Sequence, residues 1–516
     1  MQRRDMLAGG AALAGLALAG QARAAEWRAG RLAHVLPTVS HDRALLVASL
    51  TEPLERPPVL HLGRRRIAGQ RTDTEGLHWR FDAQGLEPSR RYTLTLADAA
   101  GRPLCDPWPL TTFPAPGDRP RQLRVLFYTC AGGHDLTGRF LPVETRGRLL
   151  DRALSFQPDV LVANGDHVYW DQRRQVGAAT ATLPERITRI TGTFDRAAPL
   201  LGTPNERVLK LAAGAQIAPL YGTRCRSVPV FFMQDDHDHF ENDEATDRLI
   251  SFPPDPFMLA AARATQQLYY PAFLPDATRP AGLGSTRPDG LSESFGTLRY
   301  GRLLEVLMYD CRRFMTLAGP SASFLPETTE DWLKQRMASS DAAHVVNAPS
   351  TPPGWSAGKW GEWYADLEEN ARLTTAKPKP YWQPGWRAQH DRLLAAASAM
   401  RERTPLFVSG DLHAIGEATI GGSGAHDFSR NPVVSVLSGP VGTGRPGFPS
   451  FIRGMVPQVP AGLEVQEQLK PLEENGFTIA DFTEEAVTLR YFKWRHEGEA
   501  AIDTLQPFRT SVLRRP

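Results

Sequence analysis

Asp159-Val160-Leu161-Val162-Ala163-Asn164-Gly165-Asp166-His167-Val168-Tyr169 is the stretch on which the fold turns. Its first half is a short, unbroken apolar run. It lacks the period-two alternation of a half-exposed strand, so it reads as a strand buried on both faces of a sheet. Its second half is a Gly-Asp turn followed by two side chains of ligand type. Three more apolar runs end in the same way. Residues 123–128 run into Thr129-Cys130, residues 228–233 lead to Asp235-Asp236-His237-Asp238, and residues 406–409 run into Gly410-Asp411-Leu412-His413. Sites in open α/β sheets assemble outside the carboxyl ends of the strands, so four such turns can converge on one point.

Each cluster has a plainer reading on its own. Gly165-Asp166 is a common strand-to-turn pair, and Cys130 alone reads as a buried structural cysteine. Asp235-Asp236-His237-Asp238 reads as a solvated acidic turn or as a cation site, because adjacent carboxylates repel unless water or cations neutralise them. The conjunction, with every cluster at a strand end, favours a metal site. Residues 439–445 are spaced like a phosphate loop, but Arg445-Pro446 replaces the Lys-Ser/Thr pair and leaves an ordinary Gly-rich loop. No Gly-x-Ser-x-Gly elbow is present, which disfavours a serine hydrolase. The tryptophans of Trp355-Ser356-Ala357-Gly358-Lys359-Trp360 and Trp363 suggest either a mobile aromatic loop beside a substrate or a packed surface loop.

Working outward, residues 26–113 hold short strand candidates at 44–48, 58–62, 77–81 and 92–96, separated by Gly, Pro and Asp. Leu86-Glu87-Pro88 before Tyr92 is similar to a signature of fibronectin III-type sandwiches. Residues 107–120 are Pro-rich and read as a linker. Beyond them, apolar strands at 303–308 and 433–437 join the four already named, with a helix expected over 146–156. Strands of this kind separated by helices indicate sheets covered on both faces. The expected organisation is a leader at 1–24, a β-sandwich domain at 25–116 and a catalytic domain at 120–516.

The leader carries Arg3-Arg4, an Ala/Leu/Gly run to Gly20 and a small-x-small cleavage site at Ala22-Arg23-Ala24. The run is short for a bilayer span. The arginine pair resembles a twin-arginine signal, which implies the twin-arginine export machinery as a partner and a periplasmic or secreted product. No integral membrane segment is expected after its removal. A net charge of +2 over 516 residues gives no field for nucleic acid or anionic membrane. With 44 Gly and 43 Pro the loops are many, which suits a site built on loops. Four cysteines, Cys105, Cys130, Cys225 and Cys311, are too few for a disulfide scaffold.

The chain resembles alkaline phosphatase D (PhoD-like) enzymes of the metallophosphoesterase superfamily, and is similar to purple acid phosphatases. The resemblance rests on Tyr128-Thr129-Cys130, Gly165-Asp166-His167-Val168-Tyr169-Trp170-Asp171, Asp235-Asp236-His237-Asp238 with Asn242-Asp243, Tyr309-Asp310-Cys311-Arg312-Arg313 and Ser409-Gly410-Asp411-Leu412-His413. It implies an α/β fold (α+β in a broader sense), a four-layer α/β/β/α sandwich preceded by a small fibronectin III- or Ig-like β-sandwich. It implies a phosphate-ester substrate and an Fe(3+)/Ca(2+) pair, other divalent ions being possible. Asp166 would bridge the two metals. Cys130, Tyr169 and His413 would bind the ferric ion, and Asp236 and Asp411 the calcium. His237 would sit near the leaving group, while Asn242 and Arg312 or Arg313 orient the phosphate. Thr129, where the family has Ser, and Cys311 and Phe314 depart from its pattern.

Thiolate and phenolate suit a ferric ion, and carboxylates suit a hard divalent one. The implied reaction is attack of a metal-bound hydroxide on phosphorus in a phosphomonoester or phosphodiester. Two alternatives remain at this point: a cell-surface binding protein with structural metals, and an enzyme for phospholipid or teichoic-acid diesters.

Overall fold

The decisive run forms the strand Val160–Asn164, buried along its whole length. It pairs in parallel with Gln122–Tyr128 on one side and Val230–Met233 on the other. The computed structural model describes residues 26–135, 138–170, 183–239, 245, 251–284, 287, 289–365, 379, 381–444, 447–495 and 498–516. The leader at 1–24 and Asn242 therefore lie outside the described residues. Among the described residues, no helix is long and apolar enough to cross a membrane.

The three parallel strands occupy one half of a six-stranded sheet. Three antiparallel strands, Asn475–Thr483, Ala486–Trp494 and Arg509–Arg514, complete it. A second large sheet contains Leu304–Tyr309, His344–Pro349, Leu406–Ser409 and Val433–Ser438, all parallel in that order. Alternate residues of these strands have different neighbours. Val125, Phe127, Val160, Val162, Phe231 and Met233 join one core with Val306, Met308, Val346, Ala348 and Val408 of the other sheet. Leu126, Tyr128, Leu161, Ala163 and Phe232 pack instead with Leu150, Ile217 and Leu268. These last three residues belong to the helices Val143–Leu154, Ala215–Tyr221 and Pro256–Tyr269. Leu307, Tyr309, Val345 and Phe407 pack with Trp332, Leu333, Trp386 and Leu393, from the helices Glu327–Ser339 and Pro384–Ser398. A strand that must bury both faces has no polar face to alternate, which is why these runs are continuous.

Residues 32–111 form two four-stranded antiparallel sheets. One contains Leu32–Val39, Arg43–Leu50, His78–Gln84 and Gln70–Arg71. The other contains Arg65–Ala68, Val59–Leu62, Arg91–Ala97 and Trp108–Thr111. Leu46, Trp79 and Phe81 from the first share a core with Leu60, Leu94 and Trp108 from the second. The stretch expected as a linker from residue 107 thus begins with a strand, because the indole of Trp108 is wanted in that core.

A buried ion cluster ties these sheets to the rest. Lys210 Nζ lies 2.8 Å from Asp73, 2.9 Å from Glu75 and 2.8 Å from Glu206. Glu206 also accepts hydrogen bonds from the backbone N–H (3.0 Å) and hydroxyl (2.8 Å) of Thr74. Burial would raise the Asp73 carboxyl, but hydrogen bonds from His78 and Lys210 outweigh it and hold the group well below the usual range. Glu206 is likewise pushed up by burial, but the donors of Gly202, Lys210 and Thr74 outweigh that and bring it down to about 2. Both folded-state values lie below their unfolded ones, so the stabilisation is complete above the unfolded range and disappears as pH falls through the folded values. Lys210→Met should cost about 3 kcal/mol at neutral pH, since it strands buried carboxylates. Thermal melts should show the gap between mutant and parent closing as the pH drops toward 2; a gap independent of pH would refute this reading.

Candidate active site

All five parallel strands that carry motifs end on the same side, and their turns meet. Cys130 follows Gln122–Tyr128, Asp166 and Tyr169 follow Val160–Asn164, and Asp235 to Asp238 follow Val230–Met233. From the second sheet, Arg312 follows Leu304–Tyr309, while Asp411 and His413 follow Leu406–Ser409. Cross-links hold the two sheets' ends together. Asn164 Nδ2 donates to Val408 O at 3.0 Å, and Thr129 Oγ1 donates to Asn164 O at 2.5 Å. Gly410 is needed there because a Cβ would collide with Thr129 Oγ1 and Asn164 O. Gly165, at φ +79°, would place a Cβ 2.6 Å from the Cβ of Asp235.

The turns are strained where the chemistry sits. Cys130, Asp166, Asp411 and His413 hold φ of 49°, 60°, 65° and 48°. The left-handed region costs a non-glycine residue roughly 1 kcal/mol or more. A chain selected for folding alone would place Gly or Asn at such positions.

The first donor group is Cys130, Asp166, Tyr169 and His413. Cys130 Sγ donates to Asp166 Oδ2 at 3.2 Å, and Tyr169 OH donates to the same oxygen at 2.9 Å. His413 Nε2 lies 3.3 Å from Tyr169 OH and 3.7 Å from Asp166 Oδ2. Thr443 Oγ1, 2.7 Å from His413 Nδ1, fixes the ring so that Nε2 faces this group. Asp166 Oδ1 is buried without a hydrogen-bond partner. Burial raises the Cys130 thiol, the Tyr169 phenol and the Asp166 carboxyl well above their ordinary values, and neighbouring carboxylates add to it. Burial also lowers the His413 imidazole well below its own. Burial thus disfavours the charged form of all four; a cation would favour the thiolate, phenolate and carboxylate, and would bind the imidazole in its neutral form. An orphaned carboxylate oxygen beside a thiol, a phenol and an imidazole fits a ferric-type ion.

The second group is Asp235, Asp236 and Asp411, whose carboxylate oxygens lie within 4.8 Å of one another. Two cations sit among them. Lys359 Nζ is 3.1 Å from Asp236 Oδ2 and closer still to Asp411 Oδ1. Arg312 Nε is 2.8 Å from Asp235 Oδ1, and its Nη2 is 3.1 Å from Asp411 Oδ2. Arg312 Nη1 donates to Gly361 O. Arg312, expected to orient a phosphate, is a residue 1% exposed whose guanidinium braces carboxylates. Arg313, the other candidate, turns away to pair with Glu293. Asn242 lies outside the described residues.

His237 is the constellation's more open member. Its ring lies against Tyr169, tilted by 44° with centroids 4.1 Å apart, and a nitrogen lies within 4.8 Å of carboxylate oxygens of Asp166 and Asp236. Burial lowers its imidazole to about 4, with Lys359 and Arg312 helping and Asp236 opposing.

Several supporting residues gave no distinctive signal in the sequence. Asp238 accepts from the backbone N–H of Asp166 (2.7 Å), His167 (2.8 Å), Val168 (3.1 Å) and Asp235 (3.0 Å), so it shapes both turns and is not a ligand. Gln216 accepts from Tyr169 N at 2.8 Å and donates to Tyr169 O at 2.8 Å, from a distant helix. Asp310 accepts from Arg312 N at 2.7 Å and lies 2.9 Å from His239. Lys359 stands in the tryptophan loop, and the loop's tryptophans are packed: Trp355 is 1% exposed and Trp363 2%. All four cysteines are buried free thiols.

The family model for PhoD-like phosphatases matches residues 144–491. The structure is similar to that of PhoD, with a TM-score of 0.63 and 15% identity over 94% of this chain and 91% of that one. It is also similar to purple acid phosphatase PPD1 isolated from yellow lupin (Lupinus luteus) seeds. That likeness has a TM-score of 0.53 and 11% identity, over 93% of this chain and 74% of that one. No curated protein matches by sequence. The alternative expectation of a binding protein gives way to these findings. The match spans the strand ends that carry Asp166, Asp236, Asp411 and His413, and the chain belongs to the PhoD-like phosphatase family of phosphoric ester hydrolases.

Proposed function

We propose that the chain is an exported, metal-dependent phosphoesterase for phosphomonoesters or phosphodiesters, with an Fe(3+)-type ion held by Cys130, Asp166, Tyr169 and His413. The observation that carries this is the buried four-donor group with its orphaned Asp166 oxygen. A metal held there supplies Lewis acidity: it acidifies water and withdraws charge from a phosphoryl group. A calcium-like ion at Asp236 and Asp411 does not fit beside the Lys359 ammonium. Export through the twin-arginine machinery to the periplasm or beyond is supported by Arg3-Arg4 and the apolar run after it.

Residues 25–116 are read as an Ig- or fibronectin-like β-sandwich, on the support of two antiparallel sheets with one core. Residues 120–516 are read as the catalytic domain in a helix–sheet–sheet–helix arrangement, on the support of the alternating strand contacts.

The chain's own residues then divide the work. Asp238 and Gln216 hold the Asp166 and Tyr169 turns, and Thr443 aims His413. Lys359 and Arg312 set positive charge against Asp236, Asp235 and Asp411. His237 reaches furthest toward solvent and meets the substrate. With its imidazole near 4 it is neutral at neutral and alkaline pH, so it serves as an N–H donor to a phosphoryl oxygen. A lipid-bearing diester is favoured as substrate by an apolar rim. Phe448 packs on His413 (5.2 Å between centroids) and continues to Phe451, which is 51% exposed, beside Ile452 at 58%.

The purified protein should contain tightly held iron and hydrolyse phosphate esters, with a phospholipid in the substrate panel to test the rim. Asp166→Ala should abolish both properties, and Cys130→Ser should lose the iron and its charge-transfer absorption. Full activity in metal-free protein would overturn the proposal. For His237→Ala, a neutral donor predicts roughly 10²-fold slowing, similar for nitrophenyl and alkyl esters, with metal content unchanged. Much greater slowing of the alkyl ester would instead make His237 the proton donor to the leaving group.

A further inference from the structure

The cationic side chain among Asp236 and Asp411 is held by a built loop. Ser356 exchanges backbone hydrogen bonds with Gln458, each at 2.8 Å. Ala357 N donates to Glu362 Oε1 at 2.9 Å, and Gly358 N donates to Ser356 Oγ at 2.9 Å. Arg453 donates to Gly358 O. Gly358 takes φ +70°, which turns the chain just before the lysine. Trp355, 1% exposed, pins the loop's start by donating from Nε1 to Glu467 at 3.1 Å. The loop thus delivers the Lys359 ammonium to one place, with the side chain 11% exposed.

Both oxygens of Asp411 are engaged by cations, Oδ1 by Lys359 and Oδ2 by Arg312. Asp236 Oδ2 is shared with Lys359 and Asp235 Oδ1 with Arg312. Three carboxylates therefore meet two fixed positive charges. A divalent ion bound to these oxygens would touch the ammonium, and like charges at such range repel strongly in a buried site. The first group differs: its Asp166 Oδ2 accepts from a thiol and a phenol, whereas lysine and arginine occupy the second.

We infer that Lys359 takes the place of a second metal ion, so that the centre holds one metal and the lysine supplies the other positive charge. The inference rests on the metal-dependent reading above, and metal stoichiometry separates the two. Elemental analysis of the purified full chain should give one tightly held metal per chain. Calorimetric titration with calcium, to millimolar concentration, should show no saturable second site. Lys359→Met should gain a calcium site that saturates within that concentration range while keeping the first metal. Asp411→Asn should also keep the first metal. Two metals per parent chain would overturn the inference and leave the phosphoesterase reading standing; none would overturn both. If Lys359→Met fails to fold, the parent's calcium titration decides alone. A folded Lys359→Met that gains no site would show that the lysine is not what excludes the ion.

Discussion

Four carboxyl groups, from Asp166, Asp235, Asp236 and Asp411, are buried within reach of one another, and the architecture around them answers to that crowding. Two like charges about 4 Å apart repel by roughly 4 kcal/mol at an effective dielectric near 20. Burial pushes the Asp166, Asp235 and Asp411 carboxyls up, and the charge of Asp236 adds to each. Such a group ionises only beside fixed positive charge. Arg312 and Lys359 provide it on one side. On the other side the donors are a thiol, a phenol and an imidazole, which provide none in their neutral forms, and it is there that the proposed cation is assigned.

Bringing the groups together requires strain and tight approach. Cys130, Asp166, Asp411 and His413 each hold a positive φ, and Gly165 and Gly410 lie where a Cβ has no room. Each non-glycine residue there costs about 1 kcal/mol or more. The two large sheets supply the means, because buried strands anchor each turn and Asn164 ties one sheet to the other through Val408. Rigid strand ends holding strained turns are a scaffold on which donors keep their geometry before any ion arrives.

Much of this was legible in the residues. The runs at 123–128, 159–164, 228–233 and 406–409 read as buried strands because they are apolar with no period-two alternation, Arg124 and Asp159 aside, and the ligand-type residues follow them closely. The converging turns were therefore visible as a pattern of strand ends, while the four-donor grouping within them was implied by the family resemblance. Other parts were hidden for physical reasons. Strand Leu463–Leu472 is only partly buried along its length and lacks the continuous apolar run. Trp108–Thr111 was masked by Pro107 and Pro109. Lys359 lies in a segment whose tryptophans drew notice, but lysine sequences carry no mark of burial; only the fold of the loop shows that the ammonium faces Asp236 and Asp411. Asp238 looked like its ligand-type neighbours, and only its four backbone donors reveal a structural task.

The central claim is that Cys130, Asp166, Tyr169 and His413 form one metal-binding group. Anomalous diffraction from crystals of the purified protein, recorded on either side of the iron absorption edge, tests it directly. The account predicts an iron peak within bonding distance of Cys130 Sγ, an Asp166 carboxylate oxygen, Tyr169 OH and His413 Nε2. A metal bound elsewhere, or Cys130 standing outside its coordination sphere, would contradict it.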